Sequence, residues 1–121
     1  MKILVLTNLY PPYYVGGYEL RCAAVTEALR KRGHDVHVLT SSHGSKGPAP
    51  AEEPHVERSL RIHGYYGHPW LRLSALKRLE LHNNETLRRA LAVLKPDVVH
   101  VWCMGGLSKS LCLTLQRSGV P

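Results

Sequence analysis

Between Lys2 and Thr40 the hydrophobic pattern changes from strand-like to helical and back, and this succession limits the fold more than any other feature of the chain. Lys2 to Thr7, Lys-Ile-Leu-Val-Leu-Thr, is a continuous β-favouring run of the kind buried on both faces of a parallel sheet. Asn8 to Gly17 reads as a loop: Pro11 and Pro12 lack backbone donors, and Gly16 and Gly17 permit backbone angles that other residues avoid. A helix is predicted from Tyr18 to Arg32, with Leu20, Ala24, Val25, Ala28 and Leu29 recurring at three- and four-residue intervals and Arg21, Glu27, Arg30 and Lys31 left for solvent. Gly33 stops it, and Lys31 and Arg32 suit the negative end of the helix dipole. Asp35 to Thr40 is then a second strand, which makes a strand–helix–strand unit and implies parallel pairing.

The remaining elements continue this alternation. Residues 41 to 58 are rich in turn formers and predict a mobile surface loop, and Ser59 to Tyr66 predicts a short strand nearer a sheet edge through Leu60 and Ile62. Pro69 to Leu94 predicts a helix with a stripe of Leu73, Leu76, Leu87, Ala90, Leu91 and Leu94, interrupted at Asn83-Asn84 and ended by Lys95-Pro96. Asp97 to Trp102 predicts a fourth strand. Gly105-Gly106 follows, then Ser108 as a helix cap, a helix carrying Leu111 and Leu115, and a stop at Gly119. A fifth strand would begin near Pro121. The fold class is α/β, a Rossmann-like parallel sheet with flanking helices. Right-handed crossovers favour the order 3-2-1-4, with both glycine pairs at the carboxyl rim beside one crevice. There, helix N-terminal N–H groups and glycine's lack of a side chain favour close approach of an anionic ligand.

Several chemistries lose support. The first apolar run is too short for a secretory core or a membrane span, so a cytoplasmic protein is expected. Cys22, Cys103 and Cys112 form no Cys-x-x-Cys pair, which argues against a disulfide framework and a structural zinc site. Neither Gly-x-Gly-x-x-Gly nor Gly-Lys-Ser/Thr follows the first strand, against dehydrogenase and nucleotide-hydrolase readings. His34-x-x-His37 and His63-x4-His68 are the nearest histidine pairs; carboxylate or cysteine ligands at a supporting sequence spacing are lacking, so no metal is expected. Residues 61 to 121 hold nine Lys/Arg against three Asp/Glu, most of the net charge of +7. A basic face through Arg61, Arg72, Lys77, Arg78, Arg88 and Arg89 suits an anionic membrane or nucleic acid, or is simply a solvated helix surface.

The ordered set Lys2-Ile3-Leu4-Val5-Leu6, Tyr10-Pro11-Pro12, Gly16-Gly17-Tyr18-Glu19, Gly33-His34-Asp35-Val36 and Pro96-Asp97-Val98-Val99-His100 resembles glycosyltransferase family 4. That resemblance implies the GT-B architecture, two Rossmann-like domains across a cleft, and transfer of a sugar from a nucleotide-sugar donor with retention of configuration. Residues 1–121 would be part of the N-terminal, acceptor-side domain, and the C-terminal donor-binding domain would lie outside them. The resemblance implies Gly16, Gly17, Tyr18 and Glu19 near the donor diphosphate and the acceptor, with His100, Gly105 and Gly106 lining the cleft. Glu19 serves equally as a charge against the helix dipole, and His100 as a hydrogen-bonded strand residue. The catalytic-region histidine and the paired glutamates would lie beyond Pro121, so residues 1–121 alone should be inactive. The nucleotide-sugar is a co-substrate, and no cofactor is expected. The expected partners are that donor, a sugar or lipid acceptor, a peripheral membrane surface rather than nucleic acid, and a second copy paired through an exposed fourth-strand edge.

Overall fold

In a computed structural model of the chain, which describes residues 1–44, 53–65 and 68–121, seven elements alternate almost as the pattern implies. They are β1 (Lys2–Thr7), α1 (Gly17–Lys31), β2 (Asp35–Ser41), β3 (Val56–Leu60), α2 (Leu73–Leu94), β4 (Val98–Cys103) and α3 (Ser110–Ser118). The four strands form one parallel sheet in the order β3-β2-β1-β4. β1 is central, and its alternation feeds two cores: Ile3 and Val5 pack with Cys22, Val36 and Val38, whereas Leu4 and Leu6 pack with Leu39, Leu60, Leu87, Leu111 and Leu115. Helix α1 therefore covers one face and α2 and α3 the other, which explains why β1 carries no polar residue between Ile3 and Leu6. Asp97 fastens β1 at its start, accepting from the Lys2 N–H at 2.6 Å and donating its own N–H to the Lys2 carbonyl at 2.8 Å.

Several expectations change. Helix α1 buries Glu19, Cys22 and Thr26 and leaves Leu20, Ala24 and Ala28 exposed, a rotation from the predicted stripe. Small side chains let the helix lie close to the sheet, and the buried Thr26 faces the Tyr10 hydroxyl, so its polar group has a partner. Arg30, expected in solvent, instead donates to the Val36 carbonyl at 2.8 Å. Burial, reinforced by the nearby Glu19 and Cys103 and opposed by Thr26, pushes the Cys22 thiol up to about 11, so it stays protonated and inert at neutral pH.

Helix α2 starts later than predicted, with Leu73 exposed, and it runs through Asn83-Asn84 without interruption. Both amides are buried, and each bonds to residues outside the helix. Asn83 accepts from the Arg61 N–H (2.9 Å) and donates to the Arg61 carbonyl (2.8 Å) and to the Ser108 hydroxyl (3.0 Å). Asn84 donates to the Glu80 carbonyl and the Ser110 hydroxyl and accepts from Thr114, fixing α3 against α2. Ser108 is thus a buried acceptor for Asn83, and Lys109 stands at the N-cap of α3 in place of the predicted serine.

β3 begins at Val56, inside the predicted loop and before the predicted start at Ser59. Residues 45–52 of that loop, and Tyr66 at the end of the predicted strand, lie outside the described residues. A register shift between Leu39↔Glu57 and Ser41↔Leu60 sends Val56 to the α1 face and Leu60 to the α2 face. β4 is the other sheet edge, with Val101 38% exposed, and its Val99 N–H donates to the Pro121 carbonyl at 2.7 Å.

Candidate functional site

The loop after β1 divides at Tyr13. Its first part is fixed: Asn8 and Leu9 are buried, and Arg58 of β3 donates to the Tyr10 carbonyl at 3.0 Å and the Pro11 carbonyl at 2.6 Å. Arg58 is only 7% exposed, is held by Glu53 at 2.7 Å, and lies against the Tyr10 and Tyr13 rings. Gly44 has φ +82 and sits beneath Tyr13, whose Cδ1 would be 2.9 Å from an added Cβ. The second part, Tyr14, Val15, Gly16, Gly17 and Tyr18, is exposed and leads into α1.

Gly16 is the N-cap of α1, and its N–H donates to Glu19 Oε2 at 2.9 Å. Glu19 is buried, so the structure puts this carboxylate to work at the helix start, as the returning half of a capping box. With the Gly16 N–H engaged, the N–H groups left without a carbonyl inside the helix are those of Gly17, Tyr18 and Glu19. An added Cβ would meet nothing within 4 Å at Gly16 or at Gly17. Gly17, Tyr18 and Arg21 line a hollow of about 350 Å³ in which a helix N-terminus and a guanidinium stand together, a pairing that attracts phosphate-like groups.

The rim joins this hollow to β4. Between Leu6↔Val101 and Thr7↔Cys103 the register slips by one residue, making Trp102 the bulge. Its indole N–H donates to the Tyr18 carbonyl at 3.0 Å, so the end of β4 holds the start of α1 in place. His100 is mid-strand and exposed, opposite Val5 and edge-on to Trp102 at 5.2 Å, three residues short of the rim where the sequence reading puts it.

Gly105 and Gly106 follow β4 on the opposite face. They line a groove of about 760 Å³ with His63, Gly64, Tyr65, Trp70, Glu80 and Lys109, distinct from the hollow at Gly17. The close approach that these glycines permit is used by the protein itself: an added Cβ would lie 2.8 Å from Tyr65 Cε1 at Gly105 and 2.9 Å from Tyr65 Cβ at Gly106. Gly106 also has φ +73, and its carbonyl accepts from the His63 N–H at 3.1 Å. Gly106→Ala is therefore expected to cost about 1–2 kcal/mol, the usual penalty for a left-handed non-glycine residue, read as a fall in the urea midpoint.

The structure sets Gly16, Gly17 and Tyr18 at the exposed start of α1 with Glu19 buried behind them, and sequence reasoning misses the contacts of Arg58, Trp102 and Tyr65. A buried arginine held by loop carbonyls leaves no local signal, because its partners lie 47 and 48 residues away. Trp102 was readable only as a strand residue, since the bulge that aims it depends on pairing with β1.

The model of Glycosyltransferase Family 4 matches residues 15–121. An uncharacterized glycosyltransferase of Methanocaldococcus jannaschii is 45% identical over 40 residues, 33% of this chain and 10% of the relative. An uncharacterized 42.6 kDa protein in the cps region of Klebsiella pneumoniae is 28% identical over 131 residues, covering 98% of this chain and 33% of the relative. The crystal structure of Acinetobacter baumannii MurG superposes with a TM-score of 0.62 at 18% identity, over 99% of this chain and 33% of that one. The chain thus spans a third or less of the length of these proteins.

Proposed function

The chain belongs to glycosyltransferase family 4, and from that premise we propose that it is the acceptor-side part of an enzyme transferring a sugar from a nucleotide-sugar donor with retention of anomeric configuration. The observation that carries this reading is the open start of α1. Gly17 and Tyr18 present free first-turn N–H groups beside Arg21, at the carboxyl ends of β1 and β4, where the strand order reverses. A diphosphate is the part of a nucleotide-sugar that such a place would hold. Donor recognition by a second domain fits a chain that spans 33% of the Klebsiella relative, and residues 1–121 alone would be inactive. The full-length protein, offered a panel of nucleotide-sugars with and without acceptors, is expected to release nucleoside diphosphate. Residues 1–121 alone should release none. Failure of the full-length protein to consume any donor would overturn the reading, and transfer by residues 1–121 alone would overturn the division of labour.

One observation favours a membrane over nucleic acid as the partner of the basic half. Trp70 is 80% and Leu73 83% exposed, and they flank Arg72 in sequence, an apolar pair with a cation that suits the lipid interface. No helix among the described residues is long and apolar enough to cross a membrane. The proposed arrangement is peripheral contact from the cytoplasmic side. Salt-sensitive binding to anionic vesicles, lost in Trp70→Ser/Leu73→Ser, is expected; equal loss of oligonucleotide binding without any vesicle response would favour nucleic acid instead. The open edge of β4 is where a further strand, of a longer chain or of a second copy, would pair.

A further inference from the structure

We infer that Asp35, His37 and His55 form a binding site for a divalent transition-metal ion of the zinc class, which ties the amino end of β2 to the start of β3. Asp35 and His37 are two apart on one strand and so share a face of the sheet. His55 comes from 18 positions further along, but the parallel register Val38↔Val56 and the bond from the Val38 N–H to the His55 carbonyl (2.8 Å) set it beside His37. His37 Nε2 lies 2.9 Å from Asp35 Oδ1, and the two imidazole rings stand 5.1 Å apart, nearly perpendicular. One ligand atom from each residue falls within 4.8 Å of the others, and no second such group of His, Cys, Asp or Glu occurs among the described residues.

Two imidazoles and one carboxylate are the donor set of a borderline-soft divalent ion with positions left for water, not of Mg²⁺ or Ca²⁺. Ligand atoms about 2.0–2.2 Å from a tetrahedral ion are about 3.3–3.6 Å apart. Reaching that spacing takes only small side-chain rotations, which the exposure of Asp35 and His55 allows. Lys2 lies 3.9 Å from Asp35 Oδ2 and leaves Oδ1 to the metal. The ion would sit at the amino ends of the strands, on the rim opposite the glycine pairs, so its role is to close the long β2–β3 connection rather than to act on substrate. The inference is independent of sugar transfer. Spacing along the chain pointed to His34 and His37 because His55 reaches the site only through strand pairing.

Titration of the full-length protein with ZnCl₂ by calorimetry should show one saturable equivalent and a thermal midpoint that rises with Zn²⁺ concentration, whereas MgCl₂ should do neither. Loss of an outer-shell partner alone lowers metal affinity about 10–100-fold, so His37→Ala and His55→Ala should each raise Kd at least about tenfold and remove the midpoint shift. His43→Ala is the control, because His43 lies beside His68 at 2.9 Å and belongs to none of the three ligand positions, and it should leave both readouts unchanged. Circular dichroism checks that each variant is folded. Wild-type affinity in folded His37→Ala and His55→Ala, or absence of saturable Zn²⁺ binding in the parent, would overturn the site.

Discussion

Gly17→Ala in the full-length enzyme is expected to lower kcat/KM for the nucleotide-sugar about 10²-fold while leaving the thermal midpoint unchanged or slightly raised. The two effects separate because an added methyl meets nothing within 4 Å and Gly17 is the first helical residue, where alanine is the better helix former by up to about 1 kcal/mol. A ligand lying against that backbone would be pushed outward by about 1 Å, and a displacement of that size at a reacting centre costs about 10²-fold. Gly106→Ala gives the opposite profile, a loss of stability, because its space is filled by Tyr65 and its φ is +73. A parallel fall of stability and activity in Gly17→Ala would show that the glycine serves the turn alone.

The second large effect concerns the core. Asn83→Leu keeps the number and branching of side-chain heavy atoms but strips the Arg61 N–H, the Arg61 carbonyl and the Ser108 hydroxyl of their partner inside a residue environment with no exposed surface. Buried polar groups left unpaired cost about 1–3 kcal/mol each, and partial relaxation of the exposed Arg61 segment brings the expected total to about 3 kcal/mol. Urea unfolding should show a lower midpoint at an unchanged slope. A change below about 0.5 kcal/mol, the range of an ordinary surface substitution, would mean that Asn83 is not the clasp between α2, the segment after β3 and the turn before α3.

These residues also mark how far the sequence could be read. Lys2–Thr7 and Gly33 declare themselves because strand burial and helix termination are local properties, and the order β3-β2-β1-β4 follows from alternation and handedness. Asn83 and Asn84 looked like a helix break since asparagine competes with the helix in isolation; the partners that outweigh this tendency come from Arg61, Ser108, Ser110 and Thr114. Helix α1 turned a different face to the sheet for the same reason, because a Tyr10 partner makes Thr26 acceptable in the interior while Leu20 stays 46% exposed. At the site, Gly16 to Glu19 was legible as a helix start. The division of labour between the two glycine pairs was not, since only the chain's return through Tyr65 decides which pair stays open.

Hydrogen–deuterium exchange of the full-length protein with and without nucleotide-sugar addresses the account at its root. Bound donor should slow exchange at the Gly17, Tyr18 and Glu19 amides, the first-turn groups that the helix itself cannot pair. Protection confined to the groove at Gly105-Gly106, or unchanged exchange at residues 17–19 while the enzyme turns over its donor, would contradict it.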